Sequence, residues 1–202
     1  MNKRSIPRAR RGFSLIEVLI ALTITATLLT ATMSALDASF KGYKATSESA
    51  STQVVARIVM QRVTAMVRTG EDFGPYPLNP ITTPNIQSNF IEFVSFRDPA
   101  NDTERVTRLE RRSAGADSEL FELWYVVTTM IDGVEDSVSE APLLVGLEQL
   151  NFDMEYDVGP RLKRVTIDMI INPDDLQDAQ IATRLETPTI RLVASAAPRM
   201  ND

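Results

Sequence analysis

Hydrophobic and polar positions divide this chain into three stretches, each with its own period. From Phe13 to Leu36 nearly every residue is apolar or small, and the only ionisable group is Glu17. Wound as an α-helix, that run covers about 36 Å, enough to cross a hydrocarbon core about 30 Å thick. Thr23, Thr25, Thr27, Thr30 and Thr32 fit such a helix, because each hydroxyl can return to a carbonyl of the preceding turn. A helical period continues beyond it. Val54/Val55, Ile58/Val59, Val63 and Met66/Val67 recur at steps of three and four, which predicts an apolar stripe, with Arg57, Gln61, Arg62 and Arg68 elsewhere. No proline stands between Pro7 and Pro75. One helix from about Phe13 to Thr69 would be roughly 85 Å long. Gly42, near the polar stretch Ser47 to Thr52, is the expected bend or soft spot, Gly70 the stop, and Pro75 and Pro77 discourage resumption.

The third stretch follows a proline-rich connection, PYPLNPITTP at 75–84, and has the period of strands. NFIEFVSF (89–96), ERVTRLERR (104–112), ELFELWYVVTTMI (119–131), LEQLNFDMEYD (147–157), RLKRVTIDMII (161–171) and a closing PTIRLVASA (188–196) are the candidates. Phe90, Glu92, Val94 and Phe96 alternate along the first, and Leu150, Phe152, Met154 and Tyr156 along a later one. Asp132-Gly133 marks a turn, residues 157–160 a hairpin, and NPDDLQDAQ (172–180) a polar loop. The expected fold class is α+β: one long N-terminal helix whose amphipathic half packs on an antiparallel β-sheet.

Charge sharpens this picture. The segment ahead of Gly12 carries Lys3, Arg4, Arg8, Arg10 and Arg11 and no acid, whereas the chain as a whole is at −6. The body is therefore strongly acidic and poorly suited to a nucleic-acid backbone, unless a local basic patch is present. Absence of cysteine and histidine removes Cys/His zinc sites, thiol and Ser–His nucleophiles, and imidazole acid–base chemistry. Acidic side chains cluster in DPANDTE (98–104) and at Asp174, Asp175 and Asp178, but neither segment has the spacing of an EF-hand. They are expected to be solvated turns, with no metal and no cofactor. No glycine-rich phosphate loop or nucleophile elbow is present, so no catalytic residue and no enzyme activity are expected. Trp124 and Tyr125 are expected as core and edge residues. Arg111, Arg112, Arg161, Lys163 and Arg164 are expected on solvated strand faces.

The opening run remains to be explained. A cleaved secretory signal has a shorter apolar stretch, and a plain single-pass anchor accounts for the length and the basic flank. Neither gives a reason for Glu17, since an unpaired carboxylate in a bilayer costs roughly 2.5 kcal/mol or more. GFSLIE at 12–17, behind a basic leader and heading an apolar helix, resembles the processing site of type IV prepilins and type II secretion pseudopilins. That resemblance implies a prepilin peptidase cutting between Gly12 and Phe13, with methylation of Phe13. Glu17 then becomes the fifth residue of the mature chain, where the family carries its glutamate. Inside a bundle of helices it would pair with the new α-amino group of a neighbouring subunit, so that a costly charge fixes register during assembly. LLVGLEQLNFDMEY followed by PRLKRVTIDMII also resembles the strand order of the J-type minor pseudopilins and their minor type IV pilin relatives.

With that resemblance the expected organisation is a removable leader at 1–12, a transmembrane and filament-core helix at 13–36, an amphipathic continuation at 37–70, and a β-rich periplasmic domain at 71–202. Expected partners are the prepilin peptidase, other pilin or pseudopilin subunits and an inner-membrane assembly platform, with no nucleic acid. The chain would sit in a bacterial inner membrane by a single pass, N-terminus in the cytoplasm. The function implied is that of a minor pseudopilin at the initiation or tip of a secretion pseudopilus. The alternatives are a minor type IV pilin for adhesion, motility or DNA uptake, and a single-pass anchored binding domain that does not polymerise.

Overall fold

The computed structural model describes residues 12–116, 118–159, 161–172 and 189–199. The basic leader, apart from Gly12, and most of the 172–180 loop lie outside them. One helix, α1 (Leu15–Thr69), leads into eight strands: β1 (Glu71–Gly74), β2 (Asn85–Ser88), β3 (Phe90–Asp98), β4 (Thr103–Ser113), β5 (Phe121–Ile131), β6 (Val134–Asp157), β7 (Arg161–Ile171) and β8 (Ile190–Ala196). All the pairings are antiparallel. The sheet runs β1-β3-β4-β5-β6-β7-β8, with β2 beside β6. This is the expected α+β, pilin-like order.

The chain divides into two compact units, Met1–Thr46 and Ser47–Asp202. The helix is hydrogen-bonded straight through Gly42, where Thr46 Oγ1 donates to the Gly42 carbonyl at 2.8 Å. The boundary between the units thus falls just past the glycine.

In the second unit, the last part of α1 supplies Ala56, Val59, Met60, Val63 and Val67 to the core. The inner sheet face answers with Ile91, Phe93, Leu109, Leu123, Leu150, Phe152, Val165, Ile167 and Met169. Burying these side chains is worth about 1.5–3 kcal/mol each relative to leaving them in water. This corrects the expected stripe. Val54, Val55 and Ile58 face solvent, while Ala56 and Met60 point inward. Both sets recur at helical spacing. The small Ala56 continues the stripe set by Val59, Val63 and Val67, whereas Val54, Val55 and Ile58 form a second row around the helix.

The strand faces divide in the same way. Leu150, Phe152, Met154 and Tyr156 are all buried, as their alternation predicts. In β3 the expected set is only partly inward. Ile91 and Phe93 are the core residues, Val94 is buried outside the core cluster, and Phe96, beyond a register shift that follows Val94, is exposed. The sequence reading also missed β1 and β2, each four residues long, and the first half of β6. Asp132 and Gly133, both at positive φ, make the tight turn between β5 and β6.

Two contacts close the domain. Gly70 follows α1 and is buried, and its N–H reaches the Met66 carbonyl at 3.0 Å. A Cβ there would collide with the Phe93 ring, so only glycine lets the chain leave the helix at this point. Past β8, the Arg199 N–H donates to the Arg68 carbonyl at 2.9 Å, tying the segment after β8 to the last turn of α1.

Candidate processing and assembly site

The residues singled out for chemistry, Gly12, Phe13 and Glu17, lie together at the head of α1. Among the described residues, nothing approaches within 4 Å of a Cβ built on Gly12, and Phe13 is 86% exposed. The described side of the Gly12–Phe13 junction is thus uncovered.

Glu17 has a local partner that the sequence reading did not assign. Its Oε2 accepts the Ser14 N–H at 3.0 Å, and the Ser14 Oγ accepts the Glu17 N–H at 3.3 Å. This reciprocal pair is a capping box, which satisfies two of the amides left bare at a helix start. A carboxylate in the first turn also complements the positive end of the helix dipole. The signal was present as Ser-x-x-Glu ahead of an apolar run.

Behind this cap the apolar run is uncovered. Leu15, Ile16, Val18, Leu19, Ile20, Leu22, Ile24, Leu28, Leu29, Met33 and Leu36 are all more than half exposed. By length and composition this part of α1 can cross a membrane, and none of its apolar window is buried in the protein. All five threonines return their hydroxyls to the preceding turn, at 2.8–2.9 Å from the carbonyls of Ile20, Ala21, Ile24, Ala26 and Leu29. Ala26, Thr30 and Ser34, with Thr27 and Ala31 beside them, line a shallow trough of small side chains. Such spacing lets two helix backbones approach closely in a membrane.

Many polar groups of the β-rich domain are engaged with one another. Asp98 accepts the Asn101 side-chain amide at 2.8 Å and the Ala100 N–H at 3.0 Å, which together hold its carboxyl below the ordinary value. Glu155 takes Lys163 at 2.7 Å and Arg164 at 2.8 Å, with the Lys163 hydrogen bond the main cause of a lowered pKa. Arg112 bridges Glu110 and Glu140 and lies over the Trp124 ring at 4.6 Å, while Arg111 lies over Phe121 at 4.5 Å. Trp124 also donates to Glu122 at 2.7 Å. Tyr156 is buried, with its hydroxyl 2.9 Å from the Pro75 carbonyl, and burial pushes its pKa upward. Among the described residues, no three acidic side chains converge as a metal site would require.

Residues 7–33 match the prokaryotic N-terminal methylation motif. The match covers Arg8, Arg10 and Arg11 of the basic flank, the Gly12–Phe13 junction, Glu17 and most of the apolar run. It supports a type IV pilin- or pseudopilin-like family, and the motif implies processing by a prepilin peptidase and assembly with other pilin-type subunits. Together with the apolar helix it fits anchoring in a membrane. Neither the curated proteins nor the solved structures contain a match to the chain.

Proposed function

We propose that this chain is a minor structural subunit of a type II secretion pseudopilus, acting at its initiation or tip and carrying out no catalysis. The observation that carries this reading is an apolar helix with no cover among the described residues, headed by the Gly12–Phe13 junction and one carboxylate. In this reading a prepilin peptidase removes residues 1–12 and Phe13 is methylated. The basic leader holds the N-terminus in the cytoplasm, and the β-rich domain lies on the far side of the membrane. An assembly platform in that membrane then draws the mature subunit into a filament.

Glu17 has two successive partners in this scheme. In the lone subunit its carboxylate is held by the Ser14 amide, which lowers the cost of keeping it in an apolar helix. In the filament it meets the methylated α-amino group of Phe13 from a neighbour. That exchange replaces a neutral donor by a charged one, the stronger partner in a dry environment.

The test is the mass of the N-terminal peptide from protein recovered from its host's membranes. A peptide that begins at Phe13 and carries one added methyl group is expected. A chain still beginning at Met1 or Asn2 would reduce the protein to a plain membrane anchor. A cut after the apolar run would make it a secreted domain. Loss of secretion, rather than of adhesion, motility or DNA uptake, when the gene is deleted separates the pseudopilus from a type IV pilus.

A further inference from the structure

β6 changes partners along its length. Residues from Val134 to Leu147 pair with β5, and those from Leu147 to Asp157 pair with β7. Leu147 faces Phe121 on one side and Ile171 on the other, so β5 and β7 occupy opposite edges. β2 takes over the β5 edge at Phe152–Glu155. The β7 edge has no such successor. Its last bond there is the Asn172 N–H to the carbonyl of Gly146, a residue at φ +74. From Val145 back to Val134 that edge has no strand partner among the described residues. Every residue from Val134 to Pro142 is exposed.

An open edge presents a row of free N–H and C=O groups, a template for another strand. The side chains decide which strand it accepts. Between Asp132 and Glu148 the chain carries Glu135, Asp136 and Glu140 and no base. Arg112 engages Glu140, but no cation among the described residues meets Glu135 or Asp136. A second copy pairing antiparallel through the same edge would bring two sets of acids together with no base between them, which is destabilising. The pattern therefore rejects its own copy and any acidic strand, while leaving the backbone to a strand of opposite charge. Val138, half exposed between the acids, offers that strand one apolar contact.

We propose that the free edge of β6 from Val134 to Ala141 accepts an added antiparallel strand from another protein, in an extended segment rich in lysine or arginine. The contact uses main-chain hydrogen bonds for affinity and Glu135 and Asp136 for selection. It does not depend on the filament reading, because neither Phe13 nor Glu17 takes part.

Hydrogen exchange on the full chain in detergent tests it, with a nine-residue peptide of alternating lysine and valine as the probe. In the protein alone the outward amides of 134–141 should exchange freely, and the peptide should slow them by about tenfold or more. A peptide of the same charge with alternate amides N-methylated on its pairing edge should leave them unprotected. The double variant Glu135→Lys, Asp136→Lys, which breaks no contact in the fold, should weaken binding of the first peptide by about tenfold or more. Equal protection by the N-methylated peptide would reduce the effect to charge attraction and overturn the proposal. So would slow exchange in the protein alone, whether it persists on dilution, as a cover by the chain itself would, or vanishes, as a second copy would. Unchanged affinity in the double variant would overturn the selection by charge.

Discussion

The two halves of α1 solve the same problem in opposite ways. Toward its C-terminus, Ala56, Val59, Met60, Val63 and Val67 are covered by the sheet of their own chain. Toward its N-terminus, the large apolar side chains from Leu15 to Leu36 have no cover among the described residues. One continuous ladder of helical hydrogen bonds runs through both. Helix geometry is therefore not what separates them. The separation lies in where the apolar surface finds a partner, inside the chain for one half and outside it for the other. A helix that is apolar all round belongs to a membrane or to a bundle of its own kind, while a striped one belongs to a domain.

Substitutions in the two halves should have effects that do not overlap. Phe152→Ala removes a fully buried ring from the sheet face beneath the helix and should cost about 3–5 kcal/mol in thermal or denaturant unfolding of the domain. Leu22→Ala deletes a similarly apolar side chain from the uncovered half and should leave that same transition within about 0.5 kcal/mol. A large effect of Leu22→Ala on domain unfolding would mean the halves are not independent. Glu17→Ala sharpens the contrast from the other side. It should insert into membranes and keep a folded domain, yet reduce recovery of assembled subunits by about tenfold or more, as judged by cross-linking in the host. Normal assembly of that variant would leave Glu17 with the helix cap as its whole role. Gly70→Ala acts at the C-terminal end of the helix, where the added methyl meets Phe93, and should cost about 1–3 kcal/mol of domain stability.

The smallest effect is one of pH. Asp98 and Glu155 both have carboxyls held below their ordinary values in the folded chain. Folding thus gains from their ionisation above the unfolded value, and that gain disappears as pH falls through the lowered folded one. The midpoint of domain unfolding should drift down below about pH 4, and Glu155→Gln should flatten part of the drift. Both side chains belong to the β-rich unit, so insertion of the apolar half should not follow the same curve.

Much of this was legible in the order of residues. The apolar run, its threonines, the stop at Gly70 and the alternation from Leu150 to Tyr156 are local patterns, and local patterns survive in a single sequence. The inward face of the second half of α1 was not. Val54, Val55 and Ile58 fit the helical period as well as the residues that are buried, and only the sheet decides between the two rows. β1 and β2 are too short to establish a period, and their partners, β3 and β6, are distant in sequence. The first half of β6 carries acids and serines where a strand pattern calls for apolar residues, because it has no core to face. At the candidate site, Gly12, Phe13 and Glu17 were recognisable from their spacing. The Ser14 cap is less legible, because a carboxylate in an apolar run calls for a charged partner, whereas the amide three residues away already serves it.

The bond from Arg199 to Arg68 has a bearing on when the protein can become itself. Among the described residues β8 pairs with β7 alone, and Arg199, three residues beyond it, fastens the end of a helix about 130 positions earlier in the chain. Contacts that far apart in sequence form only after everything between them has been made. Until then the last turn of α1 keeps a bare carbonyl and β7 keeps an open edge. The helix is written first, yet its C-terminal anchorage waits for residues made much later.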